Sequence, residues 1–413
     1  MVSNLTKFVT YARHHGVRSA LKTAVTRVLY SGPQPVKVAA ARNGKTDFIT
    51  HYQRILGQEH GNAGDLGHAA PNSIQWVIPN FGFGSGGHLN IFRFINMMAR
   101  RGYQQRLVIV PPYDWNSVED ARKALAEWYG PLEAELVLGI DGFRPSEVTF
   151  ATGWQTAYWV AKHRASRHRM YFVQDYEPYF SPVSSEYYFA EGTYRLGLKA
   201  ITAGQWLSDK LSSEFGMECR AVSFGVDHER YRVQDVADPS ENLNILFYSR
   251  HVTPRRLFEI GLLALAKVCR EEPRAAVIFA GGDVGGVEVP FHHLNAGEMK
   301  LDDLPELYAR CQLSLVLSGT NLSLLPLEVS ACGCPVVMND SPSTRWLLPE
   351  NAAYYALPDP DALADAMLSA LRDPEERAAR AARAKAIADA ASWEKEGDAF
   401  QRHLADLCGT AAG

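Results

Sequence analysis

Three arginines that follow an apolar run are the first candidates for chemistry in this sequence. Arg250, Arg255 and Arg256 come directly after "NILFYS" and before a helix-like stretch. Arginine carries a permanent charge on a planar group whose donors match the oxygens of a phosphate. At the end of a strand, this trio predicts a binding site for a dianion. The alternative is a surface cluster that pairs with Glu259 or Glu271, and the sequence leaves both open.

A cluster of glycines is the second candidate. Gly82, Gly84 and Gly87 in "FGFGSGGHLN" form a G-x-G-x-x-G pattern between an apolar run and a helix-like pattern. Gly84, Gly86 and Gly87 allow a ligand to approach the backbone, and the first turn of the helix offers unpaired N–H groups to an anion. His88 at the helix start either hydrogen-bonds that ligand or caps the loop. The alternative is a glycine turn without a ligand.

The same glycine pattern occurs in proteins that bind nicotinamide dinucleotides, which also need an acidic residue at the end of the second strand. Here the second apolar run, "RLVIV", continues into Pro111 and Pro112, and Asp114 lies beyond them. An NAD-dependent oxidoreductase is therefore disfavoured.

A carboxylate stands at the start of a helix-like stretch in the second half. In "SGTNLSLLPLEVSACG", the helix is entered through Pro326 and Glu328 lies in its first turn. Such a carboxylate can accept hydrogen bonds from the hydroxyls of a sugar or a ribose. The alternative is a glutamate that the helix dipole favours at this position.

Strand-like and helix-like stretches alternate along most of the chain, which indicates an α/β fold with parallel sheets. We predict two Rossmann-like domains that face each other across a cleft. Residues 1–70 would form a basic N-terminal helix and a linker, residues 71–228 the first domain, completed by 392–413, and residues 240–390 the second domain. Ligands of such sheets bind beyond the carboxyl ends of the strands, so one ligand can contact both domains.

The composition is that of an ordinary globular protein: 413 residues, 46% apolar and 21% charged, with a net charge of −4. That charge gives no reason to expect a nucleic-acid partner. No apolar run is long enough to predict a membrane span, and the N-terminus lacks the pattern of a signal peptide. The cysteines show no disulfide-like spacing, so we expect a reduced, cytoplasmic setting.

The N-terminal segment is strongly basic. Residues 1–46 contain eight Lys and Arg and no acidic residue. A basic amphipathic helix over residues 1–30 can lie on an anionic membrane surface at the inner face of the cell membrane. The alternative is a helix that packs one face on the protein.

Several segments, in this order, resemble the retaining GT-B glycosyltransferases of family 4, over residues 74–407. "FGFGSGGHLN" resembles the family's glycine loop and "SFGVDHERYR" its interdomain link. "YSRHVTPRRLFEIGLLAL" resembles the segment in which Arg250 takes the place of the family's Arg and Arg255 that of its Lys. "LPLEVSACGCPVV" puts Glu328 on the second Glu of the family's E-x7-E motif. "ASWEKEGDAF" resembles the closing helix that crosses back onto the first domain.

The resemblance implies a GT-B fold and transfer of a glycosyl group, with retention, from a nucleotide-diphosphate sugar to a saccharide hydroxyl. Arg250 and Arg255 would stabilise the leaving diphosphate, and Glu328 would hold hydroxyls of the donor. Asp175, at the end of "YFVQD", would orient the acceptor hydroxyl; the alternative is a strand-end Asp that caps a turn. Aromatic residues in "DYEPYFSPVSSEYYF" and "GWQTAYWV" either line the acceptor groove or belong to the core.

The chain departs from the family where Thr320 occupies the position of the first Glu, which approaches the donor sugar in many members. Thr320 suits a 6-deoxyhexose, which has fewer hydroxyls. With Arg255 in place of Lys, the chain resembles the rhamnosyltransferase branch of bacterial rhamnan and O-polysaccharide synthesis, which uses dTDP-L-rhamnose. "FHHLNAGEMK" takes the place of the family's base-binding loop. The donor-binding residues that we predict are Gly84, Gly86, Gly87, His88, Asn295, Gly297, Thr320 and Asn321.

We expect no metal cofactor, because no D-x-D motif stands at a strand end and the arginines would take the cation's role. The expected partners are a nucleotide-sugar donor and an oligosaccharide or lipid-linked glycan acceptor in cell-surface polysaccharide synthesis. Four alternatives remain: a transferase of a UDP- or GDP-hexose, a catalytically silent saccharide-binding scaffold, an NAD-dependent oxidoreductase, and a sugar-nucleotide epimerase, which Thr320 disfavours because an epimerase needs carboxylates in the cleft.

Overall fold

Two parallel sheets organise the chain. The computed structural model describes residues 48–57, 69–112, 114–236 and 242–409, so the predicted basic helix over residues 1–30 lies outside the described residues. One sheet has seven strands and the other has six. We call the first sheet with its helices the first lobe, and the second sheet with its helices the second lobe.

The first sheet has the strand order β3-β2-β1-β4-β5-β6-β7, and every adjacent pair is parallel. Its strands are β1 (Ala70–Ile78), β2 (Gln104–Ile109), β3 (Glu135–Leu138), β4 (Ser146–Ala151), β5 (Ser166–Val173), β6 (Lys199–Ala203) and β7 (Cys219–Val222). Apolar runs such as "WVI" in β1 and "MYFV" in β5 are buried, as expected for a sheet that helices cover on both faces. The strand order reverses between β1 and β4, so the loops after these strands flank a crevice.

The helices of the first lobe are α1 (Phe48–Ile55), α2 (Gly86–Arg100), α3 (Val118–Tyr129), α4 (Trp154–Lys162), α5 (Ser185–Gly192) and α6 (Gln205–Phe215). The sequence sets where two of them begin. Ser85 and Ser117 are N-caps whose hydroxyls accept hydrogen bonds from the N–H groups of His88 and Asp120. These serines satisfy donors that a helix start leaves unpaired.

The second sheet has the order β10-β9-β8-β11-β12-β13 and is also parallel. Its strands are β8 (Leu243–Tyr248), β9 (Ala275–Ala280), β10 (His293–Gly297), β11 (Leu313–Val316), β12 (Val336–Asn339) and β13 (Tyr354–Ala356). Its helices are α7 (Phe258–Glu271), α8 (Leu304–Ala309), α9 (Leu325–Ala331), α10 (Pro342–Arg345), α11 (Pro360–Arg372) and α12 (Pro374–Ala390). Here the order reverses between β8 and β11, which places the second crevice after these strands.

The last helix, α13 (Trp393–Cys408), returns to the first lobe. Phe400 is fully buried there, with its ring centre 5.8 Å from that of Trp76 and 5.6 Å from that of Phe150. Arg101 at the end of α2 pairs with Glu394 at 2.5 Å and with Asp398 at 2.6 Å. The chain therefore passes between the lobes twice, after β7 and before α13.

The predicted α/β fold with two parallel sheets is confirmed. Two local predictions were wrong, and one strand was not predicted at all. Phe48–Ile55 is a helix, although it lies in the predicted linker. His293–Gly297 is an edge strand, although it was predicted as a loop. Tyr354–Ala356 is a short strand that the sequence pattern did not predict. Within the described residues, no helix combines the length and apolar character that crossing a membrane requires.

Candidate functional site

The carboxyl ends of the central strands bring most of the predicted residues to the two crevices. Arg250, Arg255 and Arg256, which we call the arginine cluster, follow β8, and the loop 318–321 follows its neighbour β11. In the first lobe, the glycine loop follows β1 and Asp175 follows β5. The fold thus gathers groups that are far apart in the sequence.

Arg255 is held between the two lobes. Its Nε lies 3.8 Å from Asp175 Oδ2, and its guanidinium lies over the ring of Phe180, 4.4 Å from the ring centre. Burial lowers the pKa of Arg255 to about 10; the charge of Arg256 acts in the same direction and that of Asp175 opposes it. At neutral pH the side chain keeps its charge, and in a partly dry site that charge attracts an anion more strongly than in water.

The other two members of the arginine cluster have fewer protein contacts. Arg250 donates to the hydroxyl of Tyr248 at 3.5 Å, and Arg256 donates to the hydroxyl of Ser318 at 3.1 Å. In the described part of the chain, no ion pair joins the cluster to the two glutamates of the surface alternative. The cluster therefore keeps guanidinium donors for an anionic ligand.

Asp175 joins the lobes. Its Oδ1 accepts hydrogen bonds from the N–H groups of Asn321 at 2.9 Å and Tyr176 at 2.8 Å. Its Oδ2 accepts one from the hydroxyl of Thr320 at 2.9 Å. Burial raises the pKa of Asp175, and the nearby charge of Arg255 is the largest opposing influence. Because Asp175 accepts from the N–H of Tyr176, it also caps a turn at the strand end, as the alternative interpretation expects. A role of Asp175 in orienting an acceptor stays a prediction.

Thr320 and Asn321, which we predicted to bind the donor, make contacts across the lobes. Both are 1% exposed. The side-chain amide of Asn321 donates to the carbonyls of Gln174 at 3.0 Å and Ala203 at 2.7 Å, and its oxygen accepts from the indole of Trp346 at 2.9 Å. In this arrangement the polar groups of both side chains are already bonded, so direct contact with a donor stays a prediction.

The glycine loop leaves its backbone open. Gly84, Gly86 and Gly87 are exposed, and Gly84 has a φ of +71°, which favours glycine. A Cβ added at Gly86 would have no atom within 4 Å, and one at Gly87 would meet only the amide of Gln174, at 3.6 Å. Because α2 begins at Gly86, the positive end of its dipole lies beside this open backbone.

Tyr129 fixes the glycine loop from the end of α3. Its hydroxyl donates to the carbonyl of Gly82 and accepts from the N–H of Ser85 at 3.1 Å. Burial raises the pKa of Tyr129 to about 12, and the charge of Arg250 acts in the opposite direction. The glycine loop also reaches the second lobe through Gln174, whose side-chain amide donates to the carbonyl of Gly87 at 3.0 Å and whose backbone carbonyl accepts from Asn321 at 3.0 Å.

His88 serves its own loop. Its Nδ1 lies 2.8 Å from the hydroxyl of Ser85, and burial lowers its pKa to about 4, so that the ring is neutral at physiological pH. Of the two sequence-based interpretations, capping of the loop is the one that these contacts show. Contact with a ligand stays a prediction.

Glu328 faces the segments that pass between the lobes. Burial raises its pKa to about 7, while the charge of Arg93 in α2 and a hydrogen bond from Tyr231 oppose that rise. The guanidinium of Arg93 lies 4.6 Å from the ring centre of Trp393, the first residue of α13. Glu328 therefore belongs to the second lobe but responds to charges of the first.

Comparison with known proteins identifies the fold. The family model described as "WsaF, C-terminal domain" matches residues 243–368. The O-antigen biosynthesis protein RfbC of Myxococcus xanthus is 33% identical over 351 residues, which cover 80% of this chain and 27% of that protein. The D-inositol 3-phosphate glycosyltransferase of Saccharomonospora viridis is 28% identical over 223 residues, which cover 46% of this chain and 52% of that protein.

Among solved structures, Anabaena Alr3699/HepE in complex with UDP and glucose aligns over 81% of this chain and 99% of its own, with a TM-score of 0.62 and 17% identity. The chain has the GT-B fold. The matched part spans 27% and 52% of the lengths of the two curated relatives, so their activities enter below only as support for a proposal.

Two further predicted donor contacts lie at the outer edge of the second GT-B lobe. Asn295 is in the edge strand β10, where its amide donates to Asp283 at 2.8 Å and its oxygen accepts from the N–H of Val284 at 3.3 Å. Gly297 has a φ of +62°, and its carbonyl accepts from the N–H of Gly281 at 2.8 Å. Both residues shape the end of β9. These hydrogen bonds do not join them to the arginine cluster, so their contact with a donor stays a prediction.

The aromatic residues divide between the two sequence-based interpretations. Trp154, Trp159 and Tyr176 are buried in the core of the first GT-B lobe, whereas Tyr179 is 44% exposed and Tyr188 is 62% exposed. The core interpretation is therefore correct for the first three, and the two exposed tyrosines remain candidates for contact with a saccharide.

Sequence reasoning missed the residues that support the GT-B site from a distance: Arg93, Tyr129, Gln174 and Trp346. One of them carried a signal, because Arg93 is a single charge within the apolar stretch "NIFRFINMM". The others are uncharged and lie in ordinary surroundings. Within the described ranges, no group of three or more His, Cys, Asp or Glu side chains is arranged to hold a metal ion, and the predicted independence of metal stays a prediction.

Proposed function

We propose that this protein is a retaining glycosyltransferase that moves a sugar from a nucleotide-diphosphate donor to a saccharide acceptor in cell-surface polysaccharide synthesis. The observation that carries the proposal is the arginine cluster at the second crevice, where Arg255 lies 3.8 Å from Asp175 of the first lobe. Two relatives support it, since one is named for O-antigen biosynthesis and the other is named a glycosyltransferase. In this proposal residues 71–228 with 392–413 form the acceptor domain, and residues 240–390 form the donor domain.

The proposed chemistry is stabilisation of a leaving group. As the bond from the sugar to the diphosphate breaks, the diphosphate gains negative charge. In this proposal Arg250, Arg255 and the dipole of α2 stabilise that charge, as preorganised charges and dipoles do when they lower a barrier. Glu328 would hold hydroxyls of the donor, and Asp175 would orient the acceptor. The arginines supply the positive charge, so no metal ion is part of the proposal.

The proposed donor is dTDP-L-rhamnose. Its support is Thr320, whose hydroxyl is bonded to Asp175 and which offers no carboxylate to a sugar hydroxyl, as a 6-deoxy sugar allows. The alternative is a UDP- or GDP-hexose. It has support from HepE, a structure of the same fold that contains UDP and glucose.

The proposed setting is the inner face of the cell membrane, where residues 1–30 would bind anionic lipid and the acceptor would be an oligosaccharide or a lipid-linked glycan. The basic sequence of that segment supports this, as do Phe48 and Ile49 in α1, which are 58% and 72% exposed. Cosedimentation with anionic and with neutral vesicles tests it. Equal binding to both, or to neither, would contradict it.

A screen of donors tests the activity. The full chain would be incubated with a rhamnose-containing oligosaccharide and with dTDP-L-rhamnose, UDP-glucose or GDP-mannose, with and without a chelator, and release of the nucleoside diphosphate would be measured. We expect release and acceptor extension with dTDP-L-rhamnose, unchanged by the chelator. Release of the nucleoside diphosphate and acceptor extension with a hexose donor alone would exclude rhamnose as the transferred sugar and would still support a glycosyltransferase. Saccharide binding without release from any donor would favour the silent scaffold.

A further inference from the structure

We propose that Asn321 and Trp346 are positioning residues that hold the two lobes closed and thereby place Arg255 for its task. The catalytic consequence rests on the proposed function, whereas the closure itself does not. Neither residue would touch the substrate in this role. We call the contacts among Asn321, Trp346, Gln174, Ala203 and Asp175 the interlobe clasp.

Asn321 is the centre of the interlobe clasp. Its buried amide donates to the carbonyls of Gln174 at 3.0 Å and Ala203 at 2.7 Å. These carbonyls stand at the carboxyl ends of the neighbouring strands β5 and β6. A buried carbonyl without a donor is costly, so a side chain of the second lobe satisfies two groups of the first.

The chemistry of this position suits asparagine. A primary amide offers two N–H donors and one acceptor oxygen, and Asn321 uses both kinds of group: the oxygen accepts from the indole N–H of Trp346 at 2.9 Å and from the N–H of Leu322 at 3.0 Å. Aspartate has the same shape but no donor. It would place a negative oxygen against two carbonyls, so Asn321→Asp removes the bridge with little change in volume.

Trp346 extends the interlobe clasp over the first lobe. Its indole lies so close to Gly204 that an added Cβ would be 2.7 Å from the ring. The backbone of Gly204 also has a φ of +97°, which disfavours any other residue. The ring centre of Trp346 is 5.3 Å from that of Phe224, in the segment that leaves the first lobe. The close packing of Trp346 and its hydrogen bond to Asn321 therefore both hold the two lobes together.

The position of Arg255 depends on this closure. The groups that flank it, the carboxylate of Asp175 at 3.8 Å and the ring of Phe180 at 4.4 Å, both belong to the first lobe. Asp175 is in turn held by the N–H of Asn321 and the hydroxyl of Thr320. If the lobes separate, Arg255 loses both neighbours while the rest of the second lobe is unchanged. We therefore expect opening to lower turnover more than donor binding.

Asn321→Asp tests the proposal in the full chain, with Asn96→Asp as the matched control. The amide of Asn96 also donates to a backbone carbonyl, that of Pro131 at 2.9 Å, but within the first lobe. We expect Asn321→Asp to increase the radius of gyration in small-angle scattering. We also expect it to lower kcat by between ~10-fold and ~100-fold, the scale on which a displaced catalytic group slows a reaction, with a smaller change in donor Kd. The control should leave all three quantities unchanged.

Thr320 provides a second variant pair if Asn321→Asp does not fold. Thr320→Val removes the hydroxyl that bonds Asp175 and keeps the shape, and Thr320→Ser restores the hydroxyl. We expect Val to lower kcat and Ser to recover it. An unchanged radius of gyration in both Asn321→Asp and Thr320→Val, or an opened molecule with normal kcat, would overturn the proposal. If wild type transfers no sugar from any donor, the proposed function fails, and the scattering comparison still decides whether the interlobe clasp holds the lobes.

Discussion

At the scale of single residues, the arginine cluster carries the proposed chemistry. Replacement of Arg250 or Arg255 by Ala should lower kcat at least ~100-fold, the loss that follows removal of one preorganised donor. Arg372→Ala is the control, because this exposed arginine is the last residue of α11 and pairs only at 3.9 Å with Glu271. Release of the nucleoside diphosphate measures the effect, and near-normal rates in both variants would remove the cluster from the mechanism.

Glu328 should make the stability of the protein depend on pH. Burial raises its pKa from 4.5 to about 7, so the folded state holds the proton more tightly than the unfolded state. The favourable contribution is fully present below pH 4.5 and is lost as the pH rises through about 7. Glu328→Gln has no proton to lose. We expect it to raise the free energy of unfolding, relative to wild type, more at about pH 8 than at about pH 4.

Denaturant unfolding of both proteins at the two pH values measures this difference. Glu177, whose pKa burial also raises to about 7, should leave part of the pH dependence in the variant. If the free energies of unfolding of wild type and variant differ by the same amount at both pH values, folding does not raise the pKa of Glu328.

How much of the site could be predicted from the sequence depended on the partners of each residue. Arg250, Arg255 and Glu328 could be selected because they follow the apolar run of a predicted strand or begin a predicted helix, where ligands of parallel sheets bind. The role of Asn321 could not. Its partners Gln174 and Ala203 lie 147 and 118 positions away in the sequence, and no local pattern indicates that a side chain will meet the ends of two distant strands.

At the scale of elements, buried strands were predicted well and edge strands poorly. The central strands are apolar on both faces, so their runs stand out. Strand β10, His293–Gly297, has three exposed residues of five and includes Gly and Asn, which strands disfavour. Strand β13, Tyr354–Ala356, has only three residues. Both segments are strands because each pairs with a neighbouring strand, and the local sequence does not indicate that pairing.

The glycine loop allows a test that separates folding from binding. Gly86→Ala adds a Cβ that meets no atom within 4 Å, so the free energy of unfolding should change by less than about 0.5 kcal/mol. If a diphosphate approaches the backbone here, the same Cβ should raise the donor KM. Gly286→Ala is the control, because its Cβ would also meet nothing within 4 Å but lies outside the loop. An unchanged donor KM for Gly86→Ala would show that the loop has no ligand.

At the scale of the whole molecule, the path of the chain ties the two lobes together. Helix α12 packs on α9 in the second lobe, and α13, which follows it, packs in the core of the first. Arg220 in β7 pairs with Asp406 at 2.6 Å, and Lys199 donates to the carbonyl of Leu407 at 2.7 Å. The end of α13 therefore stabilises the lobe that is formed by earlier residues.

Phe400 shows what this path implies for stability. It is 0% exposed among the rings of Trp76 and Phe150, so Phe400→Ala should cost about 3–5 kcal/mol, as other buried Phe to Ala changes do. The loss should fall on the first lobe although residue 400 follows the whole second sheet. Amide hydrogen exchange should therefore become faster in β1 and β4 than in β8 and β9. Phe279→Ala, an equally buried ring in the second sheet, should give the reverse pattern. Faster exchange in β8 and β9 for Phe400→Ala, with β1 unchanged, would show that α13 does not belong to the core of the first lobe.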